Sequence, residues 1–192
     1  MSPDTSPKID EQKVAELLRA GYSSLQNADN TTAIERFNAC LLEEPGLAPA
    51  LEGRGAAHFK LEQWPEAEAD FAEVLKAAPG NSEARLGYAL CLIRQESVPK
   101  GLDLMESLVA EEPNFVRARI NLATLYFKLG VPKKGREQMA EAQKRHPSPE
   151  QRHEIDSCLK EQNKLDQKRI YRPDFQALKL KDRFAGFFGK RS

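Results

Sequence analysis

Residues 53–79, GRGAAHFKLEQWPEAEADFAEVLKAAP, contain a polar break near their centre and a proline at their end. The break, LEQWPE, separates two segments in which apolar residues recur with helical spacing. Because proline lacks a backbone N–H and clashes with the preceding helical turn, we expect Pro65 in a first turn and Pro79 beyond a last turn. This stretch therefore predicts two consecutive short helices.

The same arrangement recurs every 34 residues along the chain. Its terminal prolines are Pro45, Pro79, Pro113 and Pro147. The internal breaks fall at NADN (27–30), LEQWPE (61–66), RQESVP (94–99) and KLGVPK (128–133), with Pro65, Pro99 and Pro132 near the starts of the second helices. Four prolines in one register indicate an internal repeat, with two helices of about 13 to 15 residues in each copy.

Small residues recur where the two helices of a repeat would cross. They are Gly21, Gly55, Ala89 and Ala123 in the first helices, and Ala33, Ala67, Gly101 and Gly135 in the second. Four residues after each second small residue stands a large apolar one: Phe37, Phe71, Met105 or Met139. We therefore expect the large side chain to fill the space that the small residues leave.

This pattern of small residue, aromatic residue and proline resembles the tetratricopeptide repeat family over about residues 14–147, with Met in place of the aromatic in the last two repeats. The resemblance implies an all-α fold, a right-handed superhelical solenoid of antiparallel helix pairs with a C-terminal capping helix. Arg85 and Arg119 depart from the family, since Leu17 and Leu51 hold the same position in the earlier repeats, and Arg54 replaces a common Leu. The predicted parts are a disordered leader (1–9), repeats within 10–147 (about 14–47, 48–81, 82–115 and 116–147), a capping helix (148–169) and a basic amphipathic segment (170–192).

The capping helix has its own start signals. Ser148 is expected as the N-cap, Pro149 suits the first turn, and Gln151 completes the spacing of a capping box. The stripe predicted to cover the last repeat consists of Ile155, Cys158, Leu159 and Leu165.

Composition and residue spacing argue against several classes of protein. No apolar run approaches the roughly 20 residues of a membrane span, and the start MSPDTSPKIDEQ has no signal-peptide pattern. Cys40, Cys91 and Cys158 form no CxxC pair, which indicates a reducing compartment, so we expect a cytoplasmic protein.

Catalytic side chains do not converge in this sequence. His58 occupies a position that normally packs inside the repeat, while His146 and His153 flank Pro147 without zinc-type partners. The glycines are dispersed at helix crossings rather than gathered in a phosphate-binding loop. We expect no enzyme activity, no cofactor and no metal.

The resemblance implies a binding groove lined by the first helices, at positions two, five, nine, twelve and thirteen of each repeat, counted from residues 14, 48, 82 and 116. Position twelve is always large and apolar, and position thirteen is polar and mostly basic. This suits a protein or peptide ligand with apolar and some acidic groups, although the apolar row could also serve packing between neighbouring helices. The predicted groove residues are Leu18, Tyr22, Leu25, Glu52, Phe59, Lys60, Leu86, Leu90, Ile93, Arg94, Arg117, Ile120, Thr124, Phe127 and Lys128.

The best-known ligands of this family are acidic C-termini of cytosolic chaperones, which are bound by a carboxylate clamp of Lys, Asn and Arg. The resemblance places the clamp positions at Leu18, Tyr22, Gly53, Glu83 and Gly87, and none of these residue types matches. A frame shifted by one repeat puts Glu52 and Ala56 at the first two positions, which is no better. We therefore expect another class of partner.

The C-terminal segment DFQALKLKDRFAGFFGKRS (174–192) is basic and amphipathic. From Lys168 onward the chain has eight Lys and Arg against two Asp, a net charge of +6, so residues 1–167 carry −6. On a helix of about 100° per residue, one face collects the predicted interaction residues Leu180, Phe184, Phe187 and Phe188. The segment could pack on its own repeats, bind another protein or lie on an anionic membrane surface. Nucleic acid is not expected, because the Phe rings face away from the cations.

Three functions follow from these features. The first is a non-catalytic scaffold or adaptor that binds a peptide or helix in the groove. The second is a peripheral membrane adaptor anchored by the C-terminal segment. The third is a self-assembling structural protein, a homo-oligomer in which one molecule's C-terminal segment occupies a neighbour's groove.

Overall fold

The computed structural model describes residues 10–167, and every regular element in that range is an α-helix. The chain divides into two compact units, Met1–Gln95 and Glu96–Ser192, and units 1 and 2 below mean their described parts. Unit 1 contains α1 (Glu11–Gln26), α2 (Asn30–Glu43), α3 (Ala48–Lys60), α4 (Trp64–Ala77) and α5 (Ser82–Arg94). Unit 2 contains α6 (Val98–Glu111), α7 (Val116–Lys128), α8 (Pro132–Gln143) and α9 (Pro149–Gln167).

The helices begin where the sequence predicted. Proline occupies the first turn of α4, α6 and α8, which confirms the placement of Pro65, Pro99 and Pro132. At the starts of α1 and α2 a side chain caps the helix: the carboxylates of Asp10 and Asp29 accept hydrogen bonds from backbone N–H groups of these helices. These starts leave only short turns between the helices of one repeat.

Each of these turns contains a residue with left-handed backbone conformation, again at a spacing of 34. These residues are Ala28 (φ 59°), Glu62 (φ 61°), Glu96 (φ 67°) and Gly130 (φ 73°). Only the last is a glycine, so composition offered no signal for this feature. Within a unit, such a residue lets the chain reverse directly after a first helix and begin the second.

We expect Gly130→Ala to lower the free energy of unfolding by about 1 kcal/mol, because an L side chain is strained at positive φ. A Cβ at Gly130 would meet no atom within 4 Å, so the effect would be conformational and not steric. Gly80 offers the matched control, since its Cβ position is equally open and its φ is not positive. Urea denaturation of both variants tests this, and equal midpoints for the two would contradict it.

Phe37 forms the centre of the core in the first repeats. Its side chain is fully buried, with Ala33, Cys40 and Ala50 in the same cluster. A Cβ built on Gly21 would lie 2.6 Å from the Phe37 ring, and one on Gly53 only 2.3 Å. The predicted pairing of a small residue with a large one is thus confirmed.

Phe71 repeats this arrangement in the second repeat. A Cβ on Gly55 would lie 3.1 Å from its ring, and one on Gly87 would lie 2.5 Å away. Gly53 and Gly87, on the first helix of the following repeat, make the closer approach in both cases. The aromatic ring therefore packs between two successive repeats as well as within one.

Two polar networks occupy sites where the repeat pattern would place apolar residues. The guanidinium of Arg54 binds the buried Asp70 carboxylate through Nη2 at 2.5 Å and Nε at 3.0 Å, and it also donates to Asn38. In unit 2, Arg119 is buried and donates to the Pro113 carbonyl and to the Gln138 amide oxygen, each at 2.8 Å. Arg54 and Arg119 therefore replace apolar packing with hydrogen bonds.

Helix α9 packs against α7 and α8, as expected of a capping helix. Its start forms the predicted capping box: the Ser148 N–H donates to Gln151 Oε1 at 3.0 Å, and the Gln151 N–H donates to Ser148 Oγ at 3.3 Å. Ile155 is fully buried in the cluster that includes Met139. Cys158 and Leu159 pack against this cluster, as predicted.

The prediction for Leu165 was wrong, because its side chain is 44% exposed. Leu165 lies near the end of a helix of 19 residues that packs on helices of 13 and 12, so less apolar surface is available to it. Gln162 is buried instead and donates to Asp166 at 2.8 Å, while Arg136 pairs with the same carboxylate. Polar bonds thus hold the last turns of α9.

Helix α9 also continues the repeat register. Ser157 stands 34 residues after Ala123, at the small position of a first helix, and Cys158 stands 34 after Thr124. The Thr124 hydroxyl lies 3.9 Å from the Cys158 sulfur. The cap therefore lies beside α7 as the first helix of another repeat would.

Candidate functional site

In unit 1 the three first helices lie side by side, because α1 contacts α3 and α3 contacts α5, while α2 and α4 cover their other side. We call the uncovered side the inner face of unit 1. The repeat positions assign to it the predicted groove residues, of which these are at least partly exposed: Leu18, Tyr22, Leu25, Glu52, Phe59, Lys60, Leu90, Ile93 and Arg94.

The apolar row at position twelve is half-buried throughout. Leu25 packs against the Phe37 cluster, Phe59 against the Phe71 cluster, and Phe127 against the Met139 cluster. Phe127 also fills the space beside Gly135, where a Cβ would lie 2.5 Å from its ring. Each of these side chains thus contributes to packing and keeps an edge at the surface.

The basic row at position thirteen coincides with helix ends. Gln26, Lys60, Arg94 and Lys128 are the last residues of α1, α3, α5 and α7, and all four are exposed. A cation at a helix C-terminus interacts favourably with the helix dipole. Helix stability therefore accounts for part of this pattern independently of any ligand.

Tyr22 is held in place although its side chain is 40% exposed. Its hydroxyl donates to the Pro49 carbonyl at 2.8 Å, and its ring meets Phe37 edge-on at 5.3 Å between centroids. Burial, with the nearby Glu52 carboxylate, raises the pKa of Tyr22. Glu52 in turn accepts a hydrogen bond from the Asn81 amide at 2.6 Å. The middle of the inner face is therefore a fixed surface.

Two predicted groove residues belong to the core. Leu86 is 3% exposed and Ile120 is 1% exposed, so neither side chain is available to a ligand. Ile120 lies in the cluster with Met139 and Ile155. Both side chains therefore belong to the core and not to a binding surface.

The edge of the inner face carries a cluster that the sequence did not reveal. The rings of Phe59 and Trp64 meet edge-to-face at 4.8 Å between centroids. The guanidinium carbon of Arg94 lies 5.9 Å from the Phe59 centroid and 5.4 Å from the Trp64 centroid. We call these three residues the aromatic shelf.

The turn between α3 and α4 builds this shelf. The left-handed Glu62 reverses the chain, and His58 Nδ1 lies 2.6 Å from Gln63 Oε1, so the imidazole has a hydrogen-bond partner. Trp64 opens α4 and thereby returns to Phe59, five residues earlier. Gln95 follows Arg94, and its side-chain amide donates a hydrogen bond to the Glu68 carboxylate of α4. This hydrogen bond holds the C-terminal end of α5 against α4.

In unit 2 the predicted residues lie on α7 beside α9. Thr124 and Phe127 are partly exposed and Lys128 is exposed. The Arg117 guanidinium carbon lies 6.0 Å from the centroid of the Phe115 ring. A separate cleft of about 430 Å³ opens in unit 2, lined by Gln143, His146, Pro147, Arg152 and Asp156.

The cysteines occupy apolar surroundings. Cys40 and Cys91 are buried, and burial raises the pKa of Cys91 to about 12 and that of Cys40 above its usual value. Burial also raises the pKa of Cys158. Because their pKa values are raised, these thiols are poor nucleophiles at neutral pH. Within residues 10–167, no group of His, Cys, Asp and Glu could hold a metal ion.

The predicted interaction residues Leu180, Phe184, Phe187 and Phe188 lie outside the residues that the structure describes. In the described part of the chain, no helix combines the length and hydropathy needed to cross a membrane.

Comparison with known proteins identifies the repeats. The tetratricopeptide repeat family model matches residues 53–114, which include the stretch with both the break and the proline. Residues 53–114 belong to the tetratricopeptide repeat family. The predicted fold class, an all-α solenoid of helix pairs, is thereby confirmed.

Two solved tetratricopeptide structures share this fold. A thermophilic tetratricopeptide protein from Thermus thermophilus superposes with a TM-score of 0.71 at 16% identity, covering 80% of this chain and 84% of that one. The first tetratricopeptide domain of Spaghetti, bound to an HSP90 peptide, gives a TM-score of 0.58 at 18% identity, covering 65% and 99%. At these identities the likeness establishes the fold alone.

A curated relative of this chain is Hsp70-Hsp90 organizing protein 1 of Glycine max. It is 27% identical over 143 residues, which make up 74% of this chain and 24% of the relative. The chain thus spans about a quarter of the length of the curated relatives it matches.

Proposed function

We propose that this protein is a non-catalytic interaction module that binds a peptide or a helix on its inner face. The observation that carries the proposal is the fixed row of partly exposed apolar side chains on unit 1, from Tyr22 and Leu25 to Phe59 and Ile93. Large apolar groups held by packing lose little conformational freedom on binding and form good contact sites. The curated relatives, named as organizing proteins, support a role in bringing proteins together.

The ligand we propose is not a chaperone C-terminus of the clamp-binding kind. Leu18 and Tyr22 offer no cation, and the carboxylate of Glu83 would repel an acidic terminus. Gly53 and Gly87 approach the rings of Phe37 and Phe71 and supply no side chain to a ligand. A segment with apolar groups and a few acidic ones suits the row beside Lys60 and Arg94 better.

A random twelve-residue phage library, panned on the full chain, supplies a defined ligand for a test. We expect Tyr22→Ala to weaken binding of an enriched peptide by about 10-fold, as loss of an anchor contact does. Leu42→Ala is the matched control, because Leu42 is 83% exposed on α2, away from the inner face.

Fluorescence anisotropy with a labelled peptide gives the affinities, and circular dichroism checks the fold of each variant. Unchanged affinity in Tyr22→Ala and in Phe59→Ala would remove the inner face of unit 1 from the proposal. Equal weakening by Leu42→Ala would show that the peptide binds elsewhere.

A further inference from the structure

We propose that the aromatic shelf of Arg94, Phe59 and Trp64 is the specificity anchor of unit 1 and binds a carboxylate side chain of the ligand. This inference rests on the proposed function and specifies which residues choose the ligand. Trp64 lies outside the groove positions that the tetratricopeptide pattern assigns, so the anchor is a property of this chain's own sequence.

The shelf holds a guanidinium in a defined place. Two ring systems that meet edge-to-face lie within 6 Å of the Arg94 guanidinium carbon, at 5.9 Å and 5.4 Å. Arginine over an aromatic face keeps its N–H donors available for hydrogen bonds. The hydrogen bond from Gln95 to Glu68 fixes the adjoining end of α5, so the ligand does not have to order this side chain.

Arg94 differs in its contacts from the paired cations of unit 1. Residues 10–95 contain 8 Lys and Arg and 14 Asp and Glu, a net charge of −6. Arg54 is paired with Asp70, and Lys13 with Glu43. Among the described residues, no carboxylate lies within ion-pair distance of Arg94, whose contacts are the two rings. An exposed guanidinium whose contacts within residues 10–167 are two aromatic rings, in a unit rich in acids, complements a carboxylate of a ligand.

The surroundings select the size and charge of that ligand group. A guanidinium can bind a carboxylate through two parallel hydrogen bonds. Polyanions would be repelled by the net charge of unit 1, whereas a single carboxylate pairs with Arg94 at little cost. The partly exposed Phe59 ring lies beside the cation. The geometry thus suits an Asp or Glu flanked by an apolar residue.

A charge reversal tests the anchor. The full chain and its Arg94→Glu, Arg94→Lys and Arg19→Glu variants are panned in parallel against the same random twelve-residue library. Arg19 is the matched control, since it is an exposed arginine on α1 and receives the same change of charge. We expect the unaltered chain to enrich peptides with an Asp or Glu beside an apolar residue.

The Arg94→Glu variant is expected to enrich Lys or Arg at the corresponding peptide position and to bind the original peptides at least 10-fold more weakly. Arg94→Lys is expected to keep the acidic preference with lower affinity, because an ammonium cannot make the bidentate contact. Arg19→Glu should enrich the same peptides as the unaltered chain. A purely structural role at the end of α5 would not produce this exchange of preference.

Trp64 supplies an independent readout, because it is the only tryptophan of the chain. An enriched acidic peptide is expected to change its fluorescence in the unaltered chain, and the same peptide with Gln in place of the acid should do so only at higher concentration. Enriched peptides without an acidic preference, or with one that survives Arg94→Glu, would overturn the anchor alone. No enrichment by the unaltered chain would overturn the proposed function together with it.

Discussion

Replacing Phe37 with alanine is expected to lower the free energy of unfolding by about 3–5 kcal/mol, the loss typical of a large buried aromatic side chain. Phe37 has no exposed surface, and its ring lies against the backbone of Gly21 and Gly53. Those glycines cannot extend into the cavity, since neither has a side chain. The space would therefore collapse poorly, and α1, α2 and α3 would all lose contacts.

Urea denaturation followed by circular dichroism measures this change, and Leu42→Ala is the control on the same helix. Because Leu42 is 83% exposed, its removal should alter stability by less than about 0.5 kcal/mol. Gly53→Ala should also destabilise, since its Cβ would lie 2.3 Å from the Phe37 ring. Combining it with Phe37→Leu should cost less than the sum of the two changes, because the smaller side chain makes room. A loss below about 1 kcal/mol for Phe37→Ala would contradict the assignment of the ring as the core's centre.

Much of this core was predictable, because proline and glycine report directly on backbone geometry. Pro65 and Pro79 delimit α4 on either side, and the spacing of Gly21, Ala33 and Phe37 indicates a close helix crossing. The part that spacing within one repeat could not predict is the closer contact of Phe37 with Gly53. That contact joins consecutive repeats, and its signal lies in the recurrence of glycine at residues 53 and 87.

The candidate site was predicted less completely, because its decisive contacts cross turns. Trp64 falls in a polar break, and only the left-handed Glu62 brings it back to Phe59. Glutamate gives no compositional sign of that conformation. The apolar residues Leu86 and Ile120 were placed in the groove by repeat position, but burial depends on the packing around each helix. Position in a repeat therefore predicts which face a residue lies on more reliably than whether it is accessible.

The second large effect concerns the ion pair that replaces apolar packing in the second repeat. Arg54→Met is expected to lower the free energy of unfolding by about 2–3 kcal/mol, because it leaves the Asp70 carboxylate buried without its partner. The value lies below that of a fully buried pair, since the Arg54 side chain is 25% exposed whereas that of Asp70 is 6% exposed. Asn38 would also lose the hydrogen bond at 2.7 Å that it accepts from Arg54.

The double variant Arg54→Met with Asp70→Leu decides whether the unpaired charge is the cause. Removing both charges should restore most of the lost stability, because apolar groups of similar size often replace a buried pair at little cost. Lys13→Met provides the comparison for an exposed pair: Lys13 and Glu43 have side chains 54% and 31% exposed, so the loss should be much smaller than that of Arg54→Met. If the double variant is as unstable as Arg54→Met alone, the unpaired Asp70 charge is not the cause of the loss. A recovery would mean that the pair fixes how α3 and α4 meet without adding net stability.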